Sequence, residues 1–449
     1  MSVSEIIKKA GNLPRYTSFP TANHFKSNIC QSDVQSWIGA IDVDRPISLY
    51  FHIPYCRQLC WYCGCHTSVT NKEEKIYDYL DLVIQEMDQR LAILGRGVKG
   101  KLKVSHIHFG GGSPTIIPAT RFESFMQAVR DRFDVLDTAE IAIEVDPREV
   151  TEAKVAAYAF SGVNRASFGV QDFDLGVQKA INRVQPFRTV FDAVNLFYTY
   201  GIKNINLDLI YGLPHQNTEI MVTTVEKALL MQPARISLFG YAHVPWMKSH
   251  MRLINEADLP DSLSRMKLFE IASHILTDAG YKAIGLDHFV KPEDEMALAE
   301  TKGYLRRNFQ GYTTDQAEVL FGFGLSSISA LPMGYWQNSL DMKAYRKLVG
   351  EGKLPINKGI ALSEEDQERR RLIEQVMCQY RVDLSDTSLP NGEVSSIKED
   401  LAPLEEAGII SIEDGVVTIG IEVRQFSRIV ASKFDPYLQN VGDQHGKVA

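Results

Sequence analysis

The apolar positions of the chain alternate between short β-rich runs and amphipathic helical stretches from about Pro46 to Pro292. Several helical patterns end at a glycine that precedes a β-rich run, as at Gly162, Gly201 and Gly280. Enough chain for a crossover helix separates each candidate strand from the next. The candidate strands read ISLYFH, VSHIHF, EIAIEV, NRASFGV, KNINLDLI and RISLFGY. This rhythm predicts an α/β fold, a partial (βα)6 TIM-like barrel over residues 46–350.

One helix of this region is specified in more detail by its sequence. Thr70 and Glu73 have the spacing of a capping box, which predicts the helix start. A single apolar stripe follows, formed by Ile76, Leu80, Val83, Ile84, Met87 and Leu91. We therefore expect this helix to pack against the sheet. In barrels of this kind the chemistry lies at the C-terminal ends of the strands.

The two ends of the chain differ from the barrel pattern. Residues 1–45 show no clear period and are expected to form an N-terminal arm. Residues 359–449 read as a mostly helical C-terminal domain with one hairpin, GIISIEDGVVTI. This domain contains nine Lys and Arg against seventeen Asp and Glu. The helix-then-hairpin order resembles a winged helix, but its acidity argues against DNA docking and favours a lid or packing module.

Composition excludes several classes of function. The chain of 449 residues is 45% hydrophobic and 23% charged, as in globular proteins of enzyme size. Its net charge of −8 argues against a general nucleic-acid binder. The uncharged run from Val319 to Leu340 is interrupted by glycine, serine and proline, so it is expected to be buried loop and strand. The first residues show no signal-peptide pattern, and we expect a cytoplasmic protein without a membrane span.

Four of the six cysteines lie within ten residues, at positions 56, 60, 63 and 65. A disulfide framework does not cluster its cysteines in this way. Three thiolates with the spacing C-x3-C-x2-C hold three corners of a [4Fe–4S] cube and leave the fourth iron free for a ligand. A structural zinc ion is the alternative, although its four cysteines usually come as two separated pairs. His106 and His108 share a strand face but have no apparent third metal ligand.

At these cysteines the sequence resembles the radical S-adenosylmethionine superfamily, whose signature carries an aromatic residue before the third cysteine, here Tyr62. The resemblance implies that the free iron binds S-adenosylmethionine and that its reductive cleavage yields a 5′-deoxyadenosyl radical. Segments along the whole chain are similar to the oxygen-independent coproporphyrinogen III oxidases, also called coproporphyrinogen III dehydrogenases. These segments include PRYTSFPTA, HFGGGSPT, IEVDPRE, GVQDF, NLDLIYGLP, NFQGYTT and KFDPYL.

This closer resemblance implies a specific reaction in haem biosynthesis. Two molecules of S-adenosylmethionine serve to decarboxylate two propionates of coproporphyrinogen III oxidatively to vinyl groups, which gives protoporphyrinogen IX. An external electron donor such as a flavodoxin or ferredoxin is implied as a partner. No segment argues against a monomer.

The resemblance assigns the cluster to Cys56, Cys60 and Cys63, with Cys65 outside the ligand set. Cys30 and Cys378 are expected to be small buried hydrophobes. The residues and the resemblance together predict cofactor contacts for Tyr50, Tyr62, Gly111, Gly112, Ser113, Glu144, Gln171, Arg183, Asp208, Ala242 and Ile328. The resemblance gives Gly111 to the first S-adenosylmethionine and gives Gly112, Ser113, Gln171, Arg183 and Asp208 to the second.

Physical arguments support some of these assignments. The glycine run after the second strand allows the backbone to approach a ligand, and Glu144 suits a ribose or an ammonium group. Arg183 suits a carboxylate, whereas Asp208 suits ribose hydroxyls or an amino group. Tyr50 as a core aromatic and Asp208 as a buried ion-pair partner remain alternatives. Candidates for steering the carboxylates of the substrate are Arg15, Asp287, His288, Arg306 and Arg307.

Two other functions within the same superfamily are considered. One is a haem-binding chaperone that also binds S-adenosylmethionine, and the other is a radical enzyme that methylates and opens haem. The PRYTS arm and the CGC sequence argue against the first. The GVQDF and NFQGYTT segments argue against the second.

Overall fold

The computed structural model describes Ile6, residues 13–95 and residues 101–440. The beginning of the predicted arm and the last nine residues of the chain lie outside the described residues. The strands are β1 (Ile47–Ile53), β2 (Tyr55–Cys56), β3 (Ser68–Val69), β4 (Lys103–Gly111), β5 (Asp134–Val145), β6 (Arg165–Gln171), β7 (Asn204–Tyr211), β8 (Arg235–Gly240), β9 (Lys282–Ile284), β10 (His288–Val290), β11 (Arg306–Asn308), β12 (Gly311–Thr313), β13 (Leu320–Phe323), β14 (Ile328–Leu331), β15 (Gly334–Asn338), β16 (Ile356–Ala361), β17 (Arg381–Asp383), β18 (Ile410–Glu413) and β19 (Val416–Ile419).

The helices connect these strands and cover the sheet. They are α1 (Gln31–Gly39), α2 (Glu73–Ile93), α3 (Ala119–Arg132), α4 (Glu152–Phe160), α5 (Leu175–Ala180), α6 (Phe187–Thr199), α7 (Thr218–Leu229), α8 (Ser262–Asp278), α9 (Glu295–Thr301), α10 (Met342–Gly350), α11 (Glu364–Gln379), α12 (Asn391–Glu406) and α13 (Ser427–Ala431). No helix among the described residues is long and apolar enough to cross a membrane.

A twelve-stranded sheet organises the molecule, in the order β16-β15-β14-β13-β1-β4-β5-β6-β7-β8-β10-β9. The run β1-β4-β5-β6-β7-β8 is parallel and follows chain order, with a helical connection after each strand. These are the six strands predicted from the sequence, so the predicted partial barrel is confirmed. Strand β8 pairs with β10 and not with β1, which leaves the barrel open. The C-terminal ends of all six strands meet at one edge.

Local sequence signals explain where the helices begin and end. Gly162 and Gly201 follow α4 and α6 with φ of +89° and +84°, a left-handed conformation that glycine adopts without a Cβ penalty. The predicted capping box of α2 is wrong, because the N-cap residue is Lys72. The Thr70 hydroxyl accepts a hydrogen bond from the Lys72 amide at 3.2 Å, so it closes the preceding turn instead.

Strand pairing bears on the start of the C-terminal region, which the sequence analysis places at residue 359. Strand β16 pairs with β15 as far as Ala361, so residues 359–361 belong to the barrel sheet. We therefore propose that the C-terminal unit begins near residue 362, where α11 follows. The predicted hairpin is present as β18 and β19, and β17 pairs with β19 to make a three-stranded sheet.

Two large hydrophobic cores hold the fold together. The first lies between the barrel sheet and its helices. The second joins Leu13, Tyr16 and Phe19 of the arm to residues between 284 and 312 and to the C-terminal region. The arm, the barrel and the C-terminal region therefore share the second core, and their boundaries do not separate independent cores.

Candidate functional site

The cysteine loop leaves the sheet directly after β1 and returns beside its own starting point. Strand β2 pairs in parallel with β3, and the Cys56 carbonyl accepts a hydrogen bond from the Thr70 amide at 3.0 Å. The Ser68 amide likewise donates to the Pro54 carbonyl at 2.9 Å. The segment between these strands is therefore a closed excursion that carries all four clustered cysteines at the C-terminal edge of the barrel.

Two neighbouring segments hold this loop in place. The Asn182 side-chain amide donates to the Leu59 carbonyl at 2.9 Å. On the other side, Lys248 Nζ donates to the Cys65 carbonyl at 3.0 Å, and His250 Nε2 lies 2.8 Å from the Cys63 carbonyl. Trp61 and Tyr62 pack against a small core beneath the loop. These contacts fix the loop at several points.

The thiols of the loop lie in different electrostatic surroundings. The Cys60 thiol contacts two guanidinium groups, at 3.4 Å from Arg183 Nη1 and 3.9 Å from Arg148 Nη2. Burial raises the pKa of Cys56 to about 11. A hydrogen bond from Cys65 lowers the pKa of Cys63 to about 7. The cationic surroundings at Cys60 fit an anionic thiolate-ligated cluster.

The geometry also bears on the zinc alternative. Within the part of the chain that the structure describes, no three His, Cys, Asp or Glu side chains are placed to hold one metal ion. Thiolates of a [4Fe–4S] cluster bind separate irons, so they stand farther apart than the ligands of a single ion. His106 and His108 pair instead with carboxylates, at 3.0 Å from Asp315 and 3.2 Å from Glu144.

Tyr50, Gly111 and Glu144 meet at one corner of the edge. The Gly111 amide donates to Glu144 Oε2 at 3.2 Å, and the Tyr50 ring stacks on His108 with a centroid separation of 5.8 Å. Tyr50 is half-buried and its hydroxyl lies 3.1 Å from His52 Nδ1. This corner combines aromatic faces, a carboxylate and a backbone approach, as a nucleoside or amino-acid ligand requires.

Arg183 lies between the cysteine loop and the end of β6. Its Nη2 donates to the Gly169 carbonyl at 2.8 Å and its Nη1 contacts Asp146 at 3.3 Å, whereas its buried Nε has no hydrogen-bond partner among the described residues. Although burial opposes ionisation, Arg183 and Arg148 hold the pKa of Asp146 at about 2. Gln171 has a φ of +67° at a bulge in β6, a strained conformation of the kind that clusters at functional sites.

Asp208 belongs to a hydrogen-bonded group inside the barrel. Its carboxylate accepts from the Ser167 hydroxyl and the Asn206 amide, both at 2.8 Å. It makes no ion pair with any described residue, so the alternative of a buried salt bridge is not supported. Burial raises the pKa of Asp208 to about 6, with a further contribution from Glu144.

Other predicted residues are less directly placed. The Gly112 and Ser113 amides donate to the Ile53 and Tyr55 carbonyls at 2.8 and 2.9 Å, so they fasten β4 to the cysteine loop. Ala242 is exposed just beyond β8. Ile328 begins β14, and its carbonyl lies against Gly322, the residue paired with Tyr50. These positions share the edge but form no single pocket with Asp208.

Sequence reasoning missed several residues and misplaced one cysteine. Asp146, Arg148, Asn182 and His250 all brace the cysteine loop or its arginine. Asp146 and Asn182 closely follow the ends of β5 and α5, a signal that could have identified them, whereas His250 lies well beyond β8 and carries no such signal. Cys378 is buried as expected, but Cys30 is exposed, because it stands at the N-cap of the surface helix α1. There its thiol contacts Asp33 Oδ2 at 3.0 Å.

The open parallel barrel and its anchored three-cysteine loop define a radical S-adenosylmethionine enzyme. In agreement, the sequence pattern of the Radical SAM superfamily matches residues 50–228. Membership implies a [4Fe–4S] cluster and S-adenosylmethionine as cofactors, as the sequence analysis predicts.

Comparison with individual proteins narrows this class. The oxygen-independent coproporphyrinogen III oxidase of Bradyrhizobium diazoefficiens is 43% identical over 97% of both chains. That of Helicobacter pylori is 38% identical over 96% of this chain and 95% of its own. The solved structure of the Escherichia coli coproporphyrinogen III oxidase, a radical SAM enzyme, is 35% identical with a TM-score of 0.89, over 97% of this chain and 99% of that one. The chain belongs to the oxygen-independent coproporphyrinogen III oxidase family.

Proposed function

We propose that this enzyme converts coproporphyrinogen III to protoporphyrinogen IX by oxidative decarboxylation of two propionates. The observation that carries the proposal is the anchored cysteine loop, which lies at the same edge as Tyr50, Glu144, Arg183 and Asp208. The names of full-length relatives support the substrate. Neither a haem chaperone nor a haem-opening enzyme has support among these relatives.

Cys56, Cys60 and Cys63 hold the cluster in this proposal. Tyr50, Tyr62, Gly111 and Glu144 line the first S-adenosylmethionine. In this proposal a second molecule contacts Gly112, Ser113, Gln171, Arg183 and Asp208, and the cofactor contacts of Ala242 and Ile328 are not assigned to one molecule. Two observations among the described residues support this second site: the buried Nε of Arg183 has no hydrogen-bond partner there, and the Asp208 carboxylate makes no ion pair. A guanidinium suits a ligand carboxylate, and a carboxylate suits ribose hydroxyls or an amino group.

When bound, the cluster and S-adenosylmethionine supply a 5′-deoxyadenosyl radical that removes a hydrogen atom from the β-carbon of a propionate. The substrate then loses carbon dioxide and one electron, which leaves a vinyl group, so each turnover takes one electron from a donor and passes one to an acceptor. The protein positions the propionate and excludes water. Trp61 and Tyr62 of the loop contribute to this exclusion because they pack against the small apolar core beneath the loop.

The external electron donor is proposed to be a small redox protein such as a flavodoxin or ferredoxin. Support comes from the segment after β8, which exposes Trp246 and Met247 beside Lys248, a direct partner of the cysteine loop. We further propose a monomer that works in the cytoplasm, where a reducing environment preserves the thiols of the loop.

Mass spectrometry of an anaerobic incubation tests the function. The mixture contains cluster-reconstituted protein, reductant, S-adenosylmethionine and coproporphyrinogen III. We expect loss of two carboxyl groups together with formation of 5′-deoxyadenosine, and loss of both activities in Cys60→Ala but not in Cys30→Ala. Cleavage of S-adenosylmethionine with unchanged coproporphyrinogen would remove the substrate assignment and leave the radical chemistry.

A further inference from the structure

A group of arginines converges on the ends of β7 and β8, next to the residues proposed to bind the cofactors. Arg15 of the arm donates to the Gly240 carbonyl at 3.4 Å. Arg265 of α8 lies over the Tyr211 ring at 5.6 Å, and its Nη2 would lie 3.3 Å from a Cβ placed on Gly240. Tyr211 and Gly240 are paired in register, and Tyr211 follows Asp208 on the same strand.

Arg307 completes the group from the β11–β12 hairpin. Its Nε donates to the Arg15 carbonyl at 3.2 Å, and its guanidinium stacks on Tyr312 at 4.2 Å. Its buried Nη1 has no hydrogen-bond partner within the part of the chain that the structure describes. Arg15, Arg265 and Arg307 therefore come from three distant parts of the sequence and surround one strand end. We refer to these three residues as the arginine triad.

No member of the triad forms a direct ion pair among the described residues. Arg15, Arg265 and Arg307 have no carboxylate oxygen within 4.0 Å among the described residues, whereas Arg306 pairs with Glu374. Asp287 influences Arg15 and Arg307 at longer range, but its carboxylate bonds His288 at 2.7 Å. Buried Arg428 adds a fourth positive charge, and its guanidinium donates to the Leu13 and Pro14 carbonyls.

Collecting like charges in this way is unfavourable in the free protein. Burial, together with Arg15 and Arg307, lowers the pKa of Arg428 to about 10. Arg15 likewise lowers the pKa of Arg265, after the larger effect of burial. Such repulsion is relieved when anionic groups bind, since each guanidinium offers several charge-assisted hydrogen bonds to a carboxylate.

We propose that the arginine triad binds propionate carboxylates of the tetrapyrrole substrate and so orients the reacting propionate toward the cofactor edge. This inference rests on the proposed function, which supplies a substrate with four carboxylates. Arg15 and Arg307 are among the steering candidates predicted from the sequence, and Arg265 is added by the structure. Arg306, another steering candidate, is not part of the proposed site because its guanidinium already forms an ion pair with Glu374.

A binding experiment with the cluster-reconstituted enzyme tests the triad. The probe is coproporphyrin III, the stable fluorescent form with the same four propionates, and its tetramethyl ester serves as the uncharged comparison. Arg15→Gln, Arg265→Gln and Arg307→Gln are titrated beside Arg188→Gln, which changes an exposed arginine of α6 that pairs with Asp192. Arg265→Lys keeps the charge at one position. Binding of S-adenosylmethionine shows that each variant is folded.

We expect each triad variant to bind coproporphyrin III about tenfold more weakly. Arg188→Gln should match the wild type, Arg265→Lys should retain most of the affinity, and the ester should bind all variants equally. Unchanged coproporphyrin affinity in the triad variants would overturn the inference and leave the proposed function intact. Normal coproporphyrin affinity with slow reduction by flavodoxin would also overturn it, and would assign the arginines to donor docking. A wild type that binds no coproporphyrin would contradict the proposed function itself.

Discussion

At the scale of single residues, the candidate site depends on glycines that allow side chains of neighbouring strands to meet. A Cβ on Gly110 would lie 2.6 Å from Glu144 Oε1 and 3.0 Å from the Tyr50 ring. A Cβ on Gly169 would lie 2.8 Å from Gln171 Nε2 and 3.0 Å from Arg183 Nη2. These contacts are closer than a real Cβ permits, so a larger residue at either position displaces a functional side chain.

Gly110→Ala tests the first of these positions. The new methyl group pushes Glu144 and Tyr50 apart, so we expect S-adenosylmethionine affinity to fall roughly tenfold and stability to fall by about 1–3 kcal/mol. Isothermal titration of the reconstituted enzyme and urea unfolding measure the two effects. Gly39→Ala is the matched control, since nothing lies within 4 Å of its added Cβ. Wild-type affinity in Gly110→Ala would contradict the placement of the cofactor at this corner.

Asp208→Asn tests how much the buried Asp208 carboxylate, which is proposed to bind a ligand, lowers the free energy of unfolding. Burial raises the pKa of Asp208 to about 6, so between about pH 4 and pH 6 the folded state keeps a proton that the unfolded state has released. The free energy of unfolding therefore falls as pH rises through this window. The asparagine removes this cost, and we expect roughly 1–2 kcal/mol greater stability above pH 6 and no difference below about pH 4. Thermal unfolding of the wild type and the variant at several pH values measures this difference. Equal stability of the two proteins at pH 7 would contradict the raised pKa of Asp208.

The cysteines and Arg183 of the candidate site could be predicted from sequence motifs. The residues that reach the site only through tertiary contacts could not. Cys56, Cys60, Cys63 and Arg183 were predicted, and the structure brings Cys60 and Arg183 into contact. Arg265 carries no sequence signal, because it stands on a helix and reaches Gly240 only through the packing of α8 on the barrel. The roles of Gly112 and Ser113 in fastening the loop were equally invisible, since they depend on backbone hydrogen bonds to another strand.

At the scale of secondary-structure elements, α2 links the parallel barrel to its antiparallel extension. Glu86 and Arg90 of this helix are buried and form an ion pair. Glu86 also accepts hydrogen bonds from the Gly324 amide and the Asn338 side chain, both at 2.8 Å, and from the Tyr345 hydroxyl at 2.7 Å. One carboxylate therefore joins α2 to the turn after β13, to β15 and to α10.

Glu86→Ala is expected to destabilise the fold strongly. It leaves Arg90 buried without its carboxylate and removes three further hydrogen bonds, so the expected loss is about 3–5 kcal/mol in the free energy of unfolding. Urea unfolding followed by circular dichroism measures the loss. The exposed Glu74 of the same helix serves as the control, and Glu74→Ala should change stability by less than about 0.5 kcal/mol. If Glu86→Ala lowers the free energy of unfolding by less than about 1 kcal/mol, the Glu86–Arg90 ion pair is exposed to water and the expectation is wrong.

The apolar periodicity of α2 predicts only part of the surface that this helix buries. The predicted apolar stripe of α2 is buried at Ile76, Leu80, Val83 and Met87, as expected. The stripe gave no sign that Glu86 and Arg90 are also buried, because a period of 3.6 identifies one apolar face and this helix has two covered faces. The second face meets a strand extension more than two hundred residues away in the sequence, and polar groups serve as its contacts.

At the scale of the whole molecule, the N-terminal arm and the C-terminal region form one unit against the barrel. Arg428 holds the Leu13 and Pro14 carbonyls, and the Tyr16 hydroxyl donates to Asp435 at 3.1 Å. Arg15, a member of the arginine triad, stands between Pro14 and Tyr16 in the arm. The proposed substrate contact is therefore positioned by the C-terminal region, which gives that acidic region a structural role beside the barrel.

Phe19→Ala tests whether this unit unfolds separately from the barrel. Phe19 is 1% exposed in the second core, its ring meets the Tyr437 ring edge-on at 5.8 Å, and its loss should cost about 3–5 kcal/mol there. Because the two cores are separate clusters, we expect amide hydrogen exchange to accelerate in peptides from α11 and α13 while β1 and β4 keep their protection. Phe160→Ala, at a position 84% exposed, is the matched control and should leave both unchanged. Equal loss of protection in β1 would contradict this expectation, because it would mean that the barrel and the C-terminal unit unfold together. The positions of the arginine triad and of the cysteine loop would then depend on the same unfolding transition.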